Sequence, residues 1–252
     1  GPYDASIAEK KLIDYSAKVD SEKYNVNPRS GQSYLRRGKG KEENGNLEGA
    51  IKYNTSGCMK YASGDYQGAI TDYNKAIEID PDFVQAYVNR CTSYREQENY
   101  ISAISDLDKI LELLPEIDSL EQNSNLPSLS EIYKERGILK RRKGDYQESI
   151  KDLKKALELS PNNPYILTSL GVAKSDSGDK EGAVECYTEA LKINPKDTLI
   201  LSNLSKVKIA IGDYSGAIVD YTQILEIKSE EDEFISNVYI DRASAKEKLG
   251  DY

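Results

Sequence analysis

Apolar positions along the chain fall into pairs of helical periods separated by short polar marks. In the stretch from Val84, Tyr87, Cys91 and Tyr94 lie at i, i+4 and i+7, which is one face of a helix. Beyond Glu98-Asn99-Tyr100, the residues Ala103, Leu107, Ile110 and Leu114 repeat that spacing on a second helix. Pro115 closes the unit, as Pro81, Pro161 and Pro195 close others, because proline cannot continue a helix but can open the next.

The polar mark itself recurs. Gly64-Asp65-Tyr66 returns as Glu98-Asn99-Tyr100, Gly144-Asp145-Tyr146, Gly178-Asp179-Lys180, Gly212-Asp213-Tyr214 and Gly250-Asp251-Tyr252, with separations of 34, 46, 34, 34 and 38 residues. The two longer separations are the same period with insertions of 12 and 4 residues. A fixed period in this range predicts stacked helix pairs and not one globular core. Small residues lie at one place in the first helices (Gly57, Cys91, Gly137, Gly171, Ser205, Ala243) and at one in the second (Ala69, Ala103, Ser149, Ala183, Ala217). They predict close helix crossings, with Tyr73, Leu107, Leu153, Tyr187 and Tyr221 filling the space four residues further on.

This joint spacing of aromatic, small residue, Gly-Asp-Tyr turn, alanine and proline resembles the tetratricopeptide-repeat family from about Ala50 to Tyr252. The resemblance implies an all-α fold, a right-handed superhelical solenoid of antiparallel helix pairs. It also implies that the first helices line a concave groove holding a partner protein or extended peptide. The boundaries that follow are repeats at 50–83, 84–117, 130–163, 164–197 and 198–231, a loop at 118–129, and the first helix of a sixth repeat at 236–252. Because Gly250-Asp251-Tyr252 should start another helix, the native polypeptide is expected to continue.

Residues 1–49 are read as a helical extension or degenerate repeat. Tyr3 to Val19 carries Ile7, Leu12, Ile13 and Val19 at amphipathic spacing, Asn25 to Ser30 with Pro28 is a break, and Gly45-Asn46-Leu47 is a turn. A helix from about Leu47 to Ala62 either closes a hairpin with Tyr34 to Glu43 or opens one with Tyr66 to Ile79. The second reading fits the spacing of Tyr53, Gly57 and Gly64.

Composition narrows the function. The absence of histidine removes the usual general base and the commonest metal ligand together. No Gly-rich phosphate loop or Gly-x-Ser-x-Gly elbow is present, so no catalytic residue, metal site or cofactor is expected, and the chain is read as a non-enzymatic scaffold. A net charge of −9 disfavours nucleic acid, whose binding rests on clustered cations. The absence of 18 consecutive apolar residues argues against membrane insertion. The basic run Lys140-Arg141-Arg142-Lys143 falls in the last turn of a helix, where cations oppose the helix dipole. Cys58, Cys91 and Cys186 have no paired spacing and are read as buried thiols; the compartment is not fixed by them.

The residues expected to face the partner are Asn54, Asn89, Thr92, Glu131, Glu135 and Asn203. Asparagine donates and accepts at once, so a ladder of them can hold the backbone of an extended peptide, while Glu131 and Glu135 favour a basic residue. One subclass of the family grips acidic chaperone tails through a carboxylate clamp. Here Asn89 matches its middle member, but Asn54 and Cys58 stand where Lys and Asn belong, and Glu131 and Glu135 where Lys and Arg belong. Chaperone-tail binding is therefore disfavoured. The alternatives are the targeting arm of a larger enzyme, an RNA-binding helical repeat, and self-association.

Overall fold

A computed structural model describes residues 41–117, 126–228 and 233–250. The described residues form eleven helices and no strand: α1 (Lys41–Ala62), α2 (Tyr66–Ile79), α3 (Val84–Glu96), α4 (Tyr100–Ile117), α5 (Leu129–Lys143), α6 (Tyr146–Leu159), α7 (Pro164–Asp176), α8 (Lys180–Ile193), α9 (Thr198–Ala210), α10 (Tyr214–Ile227) and α11 (Glu233–Leu249). The helices expected before residue 41 lie outside the described residues.

The chemistry of the marks explains where helices stop and start. Gly64, Gly144, Gly178, Gly212 and Gly250 all have φ between 80° and 96°, the left-handed conformation that ends a helix most easily with glycine. The Gly64 N–H donates to the Tyr61 carbonyl, and the next N–H, of Asp65, reaches back to Lys60. The carboxylates of Asp65, Asp179 and Asp213 then accept from the amides of Gly68, Gly182 and Gly216, each at 2.9 Å, and so cap the second helix. One tripeptide thus closes one helix and opens its partner.

Helix pairs cross at the small residues. A methyl group on Gly57 would come within 2.4 Å of the Tyr73 ring, on Gly171 within 2.7 Å of Tyr187, and on Gly137 within 2.8 Å of Leu153. The bulky partners are completely enclosed, each contributing roughly 1.5–3 kcal/mol by burial. An ion pair not anticipated from the pattern ties several of the same crossings. Eight residues after the mark, the second helix carries a buried aspartate (Asp72, Asp106, Asp152, Asp220). The first helix answers with a cation four or eight residues before the mark: Lys60 at 2.7 Å, Arg90 in a fork on Asp106, Arg136 with Lys140 on Asp152, and Lys208 at 2.7 Å. In the α7–α8 pair Cys186 takes the aspartate's place, and Lys174 pairs with Asp179 instead.

The chain divides into two compact units, residues 1–132 and 133–252. In the first, α1 packs along α2, α2 on α3 and α3 on α4, with Ala50, Ala76, Phe83 and Ala86 forming a core cluster. In the second, consecutive helices from α6 to α11 pack in order, and the cores around Tyr187 and Tyr221 are built alike. Each unit is a stack of antiparallel helix pairs, and the fold is the all-α solenoid expected.

Two local expectations are corrected. Gly45-Asn46-Leu47 is not a turn: α1 runs through it from Lys41. Likewise α4 continues through Pro115 to Ile117: a proline removes one backbone hydrogen bond, and its fixed φ is itself compatible with a helix.

Candidate functional site

The expected partner-facing residues lie on the first helices, and the two units treat them differently. In the first unit, α1 and α3 run close enough for Asn89 Nδ2 to donate to Asn54 Oδ1 at 2.9 Å and to Cys58 Sγ at 3.3 Å. Gln85 Nε2, one turn before Asn89, donates to its Oδ1 at 3.1 Å. Both asparagines are buried. The structure therefore joins two candidates, 35 residues apart, into a polar cluster that spans successive helix pairs. Most of the Asn89 amide is spent on this cluster, leaving the Asn54 amino group and one lone pair of Asn89 Oδ1. Gln85 was not singled out beforehand, although its i, i+4 spacing to Asn89 places it on the same face.

Thr92 is half-buried and returns its hydroxyl to the Val88 carbonyl at 3.1 Å. The Glu131 carboxylate reaches back to Ser128, accepting from its amide at 2.8 Å and its hydroxyl at 3.1 Å, while the Glu131 amide donates to the Ser128 hydroxyl. This is a capping box at the start of α5, legible as Ser-x-x-Glu before an apolar run. Glu135 lies one turn on and is half-buried.

In the second unit, Asn203 on α9 is half-buried, and its amide makes no hydrogen bond among the described residues. Thr168 and Ser169 on α7 return their hydroxyls to carbonyls of their own helix. Three residues after Asn203, Lys206 faces Asp241 of α11. Burial pushes the Lys206 amine down against the pull of Asp241, and burial pushes the Asp241 carboxyl up against the pull of Lys206. This couple was also absent from the candidates, since no spacing rule connects helices separated by an insertion.

The basic run at the end of α5 is absorbed structurally. Lys140 holds Asp152, Arg141 donates to Asp176 on α7 at 2.8 Å, and Lys143 pairs with Asp145. Cys91 and Cys186 are buried and Cys58 is partly so; burial raises the thiols of Cys58 and Cys186. No group of metal-ligating side chains occurs among the described residues, and none of their helices is long and apolar enough to cross a membrane.

Comparison with known proteins agrees with this geometry. The family model described as TPR repeat matches residues 57–97 and 137–178, and that described as Tetratricopeptide repeat matches 164–197. At these positions the chain carries tetratricopeptide repeats. It is 35% identical to mouse sperm-associated antigen 1 over 72 residues, which is 29% of this chain and 8% of that protein. It is 27% identical to the Dictyostelium discoideum protein STIP1 homolog over 125 residues, 50% of this chain and 20% of that one. A third relative, the wheat Hsp70-Hsp90 organizing protein, is 35% identical over 63 residues, 25% of this chain and 11% of that one. The chain thus spans a fifth or less of the length of these relatives. Among solved structures, MamA superposes with a TM-score of 0.61 at 22% identity, covering 72% of this chain and 93% of MamA. YrrB, described as a TPR protein with an unusual peptide-binding site, superposes with a TM-score of 0.58 at 16% identity over 79% of this chain and 92% of its own.

Proposed function

We propose that the protein is a non-enzymatic interaction scaffold that holds an extended segment of a partner protein against the first helices. The observation that carries this reading is the cluster of Asn54, Asn89 and Gln85. Three amides occupy a contact between α1 and α3 where apolar side chains would pack without hydrogen-bonding demands, and they leave unspent polar groups. On α9, Asn203 offers both an amide donor and an acceptor. Such groups suit a peptide backbone more than any one side chain.

The partner is proposed to be neither an acidic tail nor a nucleic acid. The clamp positions hold Asn54, Cys58, Glu131 and Glu135 in place of the required cations and amides, and the net charge is −9. Reading the segment as free of catalysis accords with the lack of histidine.

The test begins with site-specific photo-crosslinking from Thr92 to identify the partner segment, followed by calorimetry with that segment as a synthetic peptide. Asn54→Ala and Gln85→Ala are each expected to weaken binding about tenfold, the value of one well-made hydrogen bond. Unchanged affinity in both variants, with the fold intact by circular dichroism, would reject this face as the binding surface.

A further inference from the structure

We propose that a corner of the first unit, formed by Glu48, Glu78, Asp80 and Asp82, is the docking surface for the chain's own basic arm, residues 23–40. The arm lies outside the described residues. In sequence it carries Lys23, Arg29, Arg36, Arg37 and Lys39 and no carboxylate, within a chain whose net charge is −9. A block of one sign in a chain of the other is an interaction segment, and its partner is a surface of carboxylates.

Three elements bring the corner together. A methyl group on Gly49 of α1 would lie 3.4 Å from Ile79 Cδ1 at the end of α2, so Glu48 stands beside the stretch from Glu78 to Asp80. Ala50 shares a core cluster with Phe83, the residue after Asp82. The turn between α2 and α3 is fixed as well: the Tyr87 hydroxyl donates to the Pro81 carbonyl at 3.0 Å, and the Asp82 amide donates to Asp80 Oδ1 at 3.2 Å. Glu48, Glu78 and Asp82 are exposed and Asp80 is half-buried, and none of the four has an ion pair among the described residues. Elsewhere in the unit Lys60 and Arg90 close on Asp72 and Asp106, and Lys75, three residues before Glu78, lies over the Tyr53 ring. Like charges gathered at one corner without a cation repel, and a seated cationic segment removes that repulsion.

Connectivity selects the arm as the occupant. Residue 40 joins α1 at Lys41, seven residues before Glu48, which is about 10 Å along the helix. An extended chain covers that distance in about three residues. A reversal at Gly38 and Gly40, which accept any turn, therefore carries Arg36 and Arg37 back within side-chain reach of the corner, where guanidinium forks match carboxylates. The tether holds them at about millimolar effective concentration, so a basic segment of another protein competes at a disadvantage. Gln85 follows Asp82 by three residues, so the seated arm borders the amide cluster and a partner entering there meets it first; that consequence rests on the function proposed above.

The experiment titrates the 252-residue chain at low salt into a fluorescein-labelled peptide with the sequence of residues 23–40 and follows anisotropy. The wild-type chain, whose own arm fills the corner, should bind the peptide about tenfold more weakly than the arm variant Arg36→Gln, Arg37→Gln, Lys39→Gln. That is the effect of a tethered competitor at about 1 mM on a peptide with a Kd of about 0.1 mM. Adding Asp80→Asn and Asp82→Asn to the arm variant should then weaken binding at least about tenfold. Asparagine keeps the Oδ1 acceptor that the Asp82 amide uses, so the turn is retained, and circular dichroism checks the fold. Asn54→Ala in the arm variant should keep the peptide, although it should lose the partner segment, so failure of either reading shows apart from the other. Equal affinity of the wild type and the arm variant would overturn the proposal, as would binding indifferent to Asp80 and Asp82 or binding lost with Asn54→Ala. So would a wild-type dimer in sedimentation equilibrium that the arm variant abolishes, because the arm would then sit on a second copy of the chain.

Discussion

Gly171 has no room for a side chain, because a methyl group there would stand 2.7 Å from Cε1 of Tyr187, itself enclosed. Alanine is the better helix former by about 1 kcal/mol, yet overpacking a closed crossing costs about 1–3 kcal/mol. Gly171→Ala is therefore expected to lower unfolding stability by about 1 kcal/mol, measured by urea titration. The opposite sign is expected at Glu98. This residue adopts φ 56° at a place where every other described mark has glycine. Relief of left-handed strain, about 1–2 kcal/mol, outweighs the added freedom of the unfolded chain, about 0.5–1 kcal/mol. Glu98→Gly should raise the urea midpoint, and a lower midpoint would contradict the strain argument.

Between elements, the helix pairs are held by shape and charge at one crossing. Asp152 shows the charge part most fully, since it is buried and receives Arg136 Nε at 2.7 Å, Arg136 Nη2 at 2.6 Å and Lys140 Nζ at 2.8 Å. Asp152→Asn keeps the shape but removes the carboxylate charge that Arg136 and Lys140 share, leaving Lys140 a long contact of 3.9 Å to the exposed Glu148. Removing one member of such a group costs about 3–5 kcal/mol when fully enclosed. With the cations 15–16% exposed, a loss of about 2–3 kcal/mol is expected at pH 7 by urea denaturation. A loss under 0.5 kcal/mol would show that solvent screens the cations as well as the aspartate does.

For the whole molecule, these carboxylates enter the pH dependence with different signs. Burial would raise Asp152 and Asp72, but hydrogen bonds and charge from Arg136 and Lys140, and from Lys60 and Ser56, outweigh it and hold both below the ordinary range. The unfolded chain then binds more protons near pH 4, so their contribution is present above about pH 4 and fades as pH falls through the lowered folded values. At Asp220, burial outweighs Lys208 and raises the carboxyl, so its contribution is present below about pH 4 and is lost as pH rises through the raised value. Urea midpoints between pH 5 and pH 3 should fall less steeply for Asp152→Asn than for wild type and more steeply for Asp220→Asn; parallel curves would contradict both assignments. The period, the helix pairing and the positions of the crossings were readable from the chain alone, because glycine conformation, capping carboxylates and helical spacing act within a few residues of one another. The aspartate ladder was also periodic, at eight residues past four of the marks, but its meaning needs a cation on another helix. Only the tertiary structure could show that Asn54 lies against Asn89 and that Lys206 faces Asp241. Those outcomes depend on which side chains meet across separate helices, and spacing along one helix does not determine how a neighbour's hydrogen bonds are spent.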